Sequence, residues 1–123
     1  MAQNTKAEDD RKRIEPLRIK DSETGEVLYT LEFNRESVIF AENHGFDVMH
    51  MKPMTDTYNL FYYAFRMHHR NMSRQQTDRI IDEEFGGIGG IPEGVIDRLC
   101  ELYNEPFEAQ KSKAKNARLT VEL

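Results

Sequence analysis

The chain has 123 residues, 38% hydrophobic and 32% charged, with a net charge of −5. That suits one domain with one modest core, and no run approaches the roughly 18 apolar residues that a membrane helix needs. Residues 14–105 hold 17 acidic against 9 basic side chains, a balance of −8, while 1–13 carry +1 and 106–123 carry +2. A body this acidic repels phosphate backbones, which argues against general nucleic-acid binding. The basic run Lys111, Lys113, Lys115, Arg118 reads as a solvated end. A single cysteine, Cys100, excludes an internal disulfide framework, and residues 1–13 contain no apolar signal segment. Both point to a reducing, cytosolic setting.

In chain order, residues 1–13 lack apolar periodicity and read as a disordered leader. Leu17 and Ile19 alternate with polar residues, as do Val27, Tyr29, Leu31 and Phe33 with Leu28, Thr30 and Glu32, which predicts two strands. The link Ser22–Glu26 suits a three-residue hairpin loop with Gly25 in the left-handed position of a bulge. That register sets Ile19 opposite Tyr29, Leu17 opposite Leu31 and Arg18 opposite Thr30. Next comes a helix capped by Asn34 and stopped after His44 by Gly45. Val38, Ile39 and Ala41 are expected against the hairpin, with Phe33 and Phe46 closing the ends.

Residues 46–55 read as a loop. Thr55 or Asp56 then caps a helix reaching about His69, whose centre Leu60-Phe61-Tyr62-Tyr63-Ala64-Phe65 is apolar or aromatic all round. Such a helix is buried on several sides, in the core or against a partner. Ser73-Arg74-Gln75-Gln76 matches a capping box opening a short helix with Ile80 and Ile81 as its contacts. Phe85-Gly86-Gly87-Ile88-Gly89-Gly90 is a flexible break. Pro92 opens a last amphipathic helix through Val95, Ile96, Leu99, Leu102 and Tyr103, and Pro106 is expected to stop it. Residues 108–123 read as a polar, flexible tail. The expected fold is mainly helical α+β: a single domain over 14–107, with an N-terminal β-hairpin packed on about four helices.

Catalytic parts are missing. His68 and His69 are adjacent, so on a helix they diverge by about 100° and cannot chelate together. His44 and His50 have no acidic or thiol partner at a ligand spacing, so no metal and no cofactor is expected. The glycine run lacks the Lys-Ser/Thr of a phosphate loop. Asp82, Glu83 and Glu84 lack calcium-loop spacing, and Cys100 has no neighbouring histidine. What remains is an adhesive surface. Six methionines accompany twelve aromatics, and Met49, Met51, Met54, Met67 and Met72 surround the aromatic helix in sequence. Flexible methionines suit adaptable grooves for apolar helices. Met54, Phe61, Tyr62, Phe65 and Met67 are therefore the expected partner-binding residues, with no catalytic residue.

The hairpin followed by Glu32-Phe33-Asn34-Arg35-Glu36-Ser37-Val38-Ile39-Phe40-Ala41-Glu42-Asn43-His44-Gly45-Phe46-Asp47 resembles a known family. So do the entry Lys52-Pro53-Met54-Thr55 into a helix ending Ala64-Phe65-Arg66-Met67-His68-His69, and Leu102-Tyr103 near the end. Over roughly residues 27–107 the chain is similar to tail assembly chaperones of long-tailed phages and prophages of Gram-positive bacteria. The resemblance implies a non-enzymatic protein of the host cytoplasm. It implies the tape measure protein and tail tube protein as partners. Self-association is a further expectation, and neither nucleic acid nor membrane is expected as a partner. Members of that family are absent from the finished virion, and many occur also in a frameshift-extended form, for which the lysine-rich segment 111–118 is a natural point of departure. Two rival readings stand beside it. One is a small helical DNA-binding transcription regulator built on Ser73–Ile81 and Pro92–Tyr103, with Arg98 the only cation of its recognition helix. The other is a metal-dependent hydrolase using His68 or His69.

Overall fold

A computed structural model of the chain describes residues 13–114 and 118–123. The expected leader lies, from residue 1 to 12, outside the described residues.

The hairpin pairs β1 (Leu17–Lys20) with β2 (Val27–Leu31), antiparallel. Its register is Leu17 with Leu31, Arg18 with Thr30 and Ile19 with Tyr29. Local chemistry dictates this turn. Asp21 Oδ1 accepts from the Glu23 and Thr24 N–H groups at 2.8 and 3.0 Å. Gly25, at φ 76°, turns its N–H onto the Asp21 carbonyl while the Asp21 N–H donates to Glu26 O. That left-handed residue costs glycine nothing and makes the bulge. A second irregularity follows, because Lys20 faces Val27 and Leu28 is left over.

Helix α1 (Arg35–Asn43) begins with a reciprocal cap: Asn34 Oδ1 accepts from Ser37 N–H at 2.8 Å, and Ser37 Oγ accepts from Asn34 N–H at 2.9 Å. It ends as a Schellman motif, with Phe46 N–H on Ala41 O, Gly45 N–H on Glu42 O and Gly45 at φ 87°. The two residues of that motif that meet across it, Ala41 and Phe46, are both buried. A 3-10 turn (Val48–His50) interrupts the expected loop.

Helix α2 (Thr55–Phe65) is the centre of the molecule. Leu60, Phe61, Tyr63, Ala64 and Phe65 are buried among Leu31 and Phe33 of the hairpin, Ala41 of α1, Ile80 and Ile81, and Leu99, Leu102 and Tyr103. Each such large side chain adds about 1.5–3 kcal/mol on burial. Two bonds fasten the second half of the hairpin to α2 and the turn after it: Glu32 N–H, just past β2, to Ala64 O at 3.1 Å, and Thr30 N–H to His69 Nε2 at 3.0 Å.

Helix α3 (Arg74–Arg79) opens with the Ser73–Gln76 capping box and runs into a π turn at Ile80–Glu84. The glycine segment is more ordered than a flexible break. Gly87 N–H bonds Ile81 O at 2.8 Å, Phe85 meets Phe61 edge-on, and a 3-10 turn spans Ile88–Gly90. Gly90 is there for space, since a Cβ would lie 1.7 Å from Phe85 O.

Helix α4 (Val95–Ala114) departs from expectation. Pro92 lies before the helix rather than in its first turn, and Pro106 does not stop it. The chain expected as a tail from 108 is helical to Ala114. Proline removes one bond and crowds the previous turn, a local cost of about 3 kcal/mol. Good helix formers follow, and Glu108 pairs with Lys111 at 3.7 Å while Asn104 Nδ2 donates to the Cys100 carbonyl on the preceding turn. The fold is mainly helical α+β, a two-stranded hairpin followed by four helices. No helix among the described residues is long and apolar enough to cross a membrane.

Candidate functional site

Two helical stripes with one spacing face each other. On α1 the stripe is Arg35, Val38, Ile39, Glu42; on α4 it is Tyr103, Pro106, Phe107, Gln110. Both follow i, i+3, i+4, i+7, the set that shares one helix face. Between them lies an open groove of about 390 Å³, lined also by Asp47, Val48 and Met49 from the segment after α1. Phe46 and Tyr103 form its floor, their ring centroids 5.4 Å apart. Its walls expose large apolar groups: Ile39 at 40%, Phe107 at 66% and Met49 at 78%. Half-buried Val38 and Val48 continue the surface inward.

The rim is polar, with two carboxylates, one guanidinium and two amides. Asp47 accepts from His50 Nδ1 at 2.9 Å and from Met49 N–H at 3.0 Å, and these bonds hold its carboxyl below the usual range. Glu42 and Arg35 stand on α1, Asn104 and Gln110 on α4. Burial, helped by the charges of Glu42 and Asp47, pushes the Tyr103 phenol up to about 12, so it stays a neutral O–H donor at the groove floor. Lys111 lies 5.5 Å from the Phe107 ring centroid. The arrangement presents apolar surface with a hydrogen-bonding border, which is the chemistry of binding a side-chain face.

The five residues expected from sequence are not brought together. Phe61 is 0% and Phe65 1% exposed, so both belong to the core. Helix α2 spends its all-round apolar surface on the hairpin, α1, α3 and α4, leaving nothing for a partner at those positions. Tyr62 is half-buried beneath the Arg74 guanidinium, 4.6 Å from its ring centroid. Met67 is half-buried in the turn after α2, and Met54, though 71% exposed, stands at the start of α2 and is not among the lining residues of the groove. Ile39, expected against the hairpin, instead faces outward into the groove. Sequence reasoning missed Ile39 and Phe107. The signal for Phe107 lay in the continuous stripe Tyr103, Pro106, Phe107, Gln110, which becomes readable once α4 is allowed through the proline.

The histidines serve the fold. His69 Nε2 accepts from Thr30 N–H, His68 Nε2 meets Glu32 Oε1 at 2.8 Å, and His44 Nδ1 meets the Phe40 carbonyl oxygen at 2.8 Å. Asp82 accepts from the Tyr58 hydroxyl, and Glu83 is 3.8 Å from Arg79. Cys100 Sγ lies 4.0 Å from Met51 Sδ, and burial pushes its thiol up, away from the reactive thiolate. Among the described residues no three His, Cys, Asp or Glu are grouped to hold a metal ion.

Compared with known sequences, residues 1–123 match the family described as a domain of unknown function (DUF5055). No curated protein and no solved structure matches the chain.

Proposed function

The chain belongs to the DUF5055 family, and on the strength of the groove between α1 and α4 we propose that it is a non-enzymatic phage tail assembly chaperone of the host cytoplasm. Its groove holds an apolar helical segment of a tape measure protein while tail tube subunits assemble around that partner. The observation that carries the reading is the convergence of Ile39, Met49 and Phe107, all exposed, on one trough between α1 and α4. A trough between two helices accepts a third helix through anchors spaced i, i+3, i+4 and i+7. A tape measure protein exposes such faces before assembly, and unprotected they aggregate.

At roughly 25 cal/mol per Å², removing a few hundred Å² of partner surface from water supplies several kcal/mol before association costs. Once association costs are met the binding is weak and transient, suited to a factor that leaves before the tail is complete. The DNA-binding alternative has less behind it. Arg98, the only cation from Pro92 to Tyr103, turns its guanidinium to the Glu15 carbonyl at 3.4 Å.

Co-expression with the tape measure protein tests the proposal. Wild type and Met54→Asp are expected to keep the partner soluble, whereas Ile39→Asp, Met49→Asp and Phe107→Asp are expected to lose it while remaining folded. Loss with Met54→Asp alone moves the site to α2. An insoluble partner with wild type removes the chaperone reading.

A further inference from the structure

We propose that the open edge of β1 takes residues 118–123 of a second copy of this chain as a third strand. The two edges of the hairpin are not alike. On β2 the outward N–H groups of Thr30 and Glu32 are occupied by His69 Nε2 and Ala64 O. Antiparallel strands turn alternate residues to the same side. Tyr29 and Leu31 therefore face β1, and Arg18, opposite Thr30, presents its N–H and C=O outward. Lys20 points the same way, because Asp21 turns inward to bond Gly25 and Glu26. Among the described residues nothing is hydrogen-bonded to these outward groups of Arg18 and Lys20. An unpaired edge of this kind is a template for another strand.

The chain carries a matching strand. Arg118-Leu119-Thr120-Val121-Glu122-Leu123 alternates apolar and polar residues, and Leu119 and Val121 are 75% and 82% exposed. Placed beside β1, Leu119, Val121 and Leu123 extend the apolar face of Leu17 and Ile19. Thr120 and Glu122 then fall on the face of Arg18 and Lys20, which sets a carboxylate beside two cations. A slip of one residue reverses every side chain, so one register is favoured.

Another copy supplies this strand more readily than the same chain does. Helix α4 meets the hairpin near its own start, where Arg98 reaches Glu15 O, and Ala114 lies sixteen residues on, about 24 Å along the axis. The five steps from Ala114 to Leu119 span at most about 18 Å when fully extended. Because α4 also meets the end of the hairpin at Tyr103, whose ring lies 5.0 Å from that of Phe33, pairing within one chain would need the link after Ala114 drawn out nearly straight, whereas a second copy meets the edge without that constraint.

Sedimentation equilibrium on the full chain tests this. Self-association is expected, weakened at least about tenfold by Val121→Asp and by Arg18→Pro. The proline removes only an outward N–H, so the hairpin keeps its own ladder. Should Arg18→Pro fail to fold, the charge pair decides: Glu122→Lys weakens association, and adding Lys20→Glu restores it. A monomer at every concentration overturns the proposal. Association indifferent to Val121→Asp and to the charge pair overturns it too, as does slowed amide exchange of residues 119–123 in the monomer.

Discussion

The centre of α2 and the groove between α1 and α4 are both rich in large apolar side chains, yet one is sealed and the other open. Phe61 has hairpin and helices on every side; Phe107 has a helix on one side and solvent on the other. The difference lies in neighbours rather than in composition. Six nonpolar residues in a row mark a helix surrounded by its own protein, while a binding surface is thinner, with two or three apolar groups per helix and a polar border.

Mutations should separate the two regions sharply. Phe61→Ala is expected to cost about 3–5 kcal/mol in urea denaturation, through lost burial and a cavity that close neighbours cannot fill. A cost below about 1 kcal/mol would place Phe61 at a surface and undo the comparison. Gly90→Ala comes next, at about 1–3 kcal/mol, because its Cβ drives into Phe85 O and Phe85 leans on Phe61. Near-neutral denaturation of this variant would mean that the glycine segment packs differently against the core.

A pH effect reports on the same sealed region. Burial first, and then the neighbouring His68, lower the pKa of His69, which must be unprotonated at Nε2 to accept from Thr30 N–H. The folded state therefore binds this proton less readily than the unfolded chain does. The stability involved is present in full above the unfolded value of about 6.5 and is lost as pH falls through the lower folded value. His69→Gln, which accepts without titrating, should flatten that slope in melts between about pH 7 and 5. An unchanged slope would assign the effect elsewhere. The smallest effect belongs to the groove: Phe107→Asp should change stability by no more than about 0.5 kcal/mol, since the ring is already in water. A loss as large as that of Phe61→Ala would make the groove part of the core.

How much of this was legible depended on how local the cause was. The hairpin register could be read because alternation and turn chemistry act over a few residues, from Asp21 to Gly25, and agree. The caps of α1 and α3 were readable for the same reason: Asn34 and Ser73 bond three residues away. The facing of α2 was not, because a helix apolar all round carries no mark of which neighbour takes which side, and so Phe61 and Phe65 looked available. Reading Pro106 as a stop misplaces the end of α4, since six of the eight helical residues after it favour the helix. That one error hid Phe107 and, with it, the groove.

Pro106 has one more consequence. Up to Tyr103, α4 is anchored by Leu99, Leu102 and Tyr103 in the core; beyond the proline its described side chains leave Phe107 largely bare. The far wall of the groove thus stands on one interrupted ladder of hydrogen bonds, with little packing beneath it. Such a segment opens at lower free energy than the rest of its own helix. A ligand lying against Phe107 would supply the missing packing, so occupancy and helix order become a single linked equilibrium. The wall would then be finished by whatever it receives, and amide exchange beyond Pro106 would slow as the groove fills.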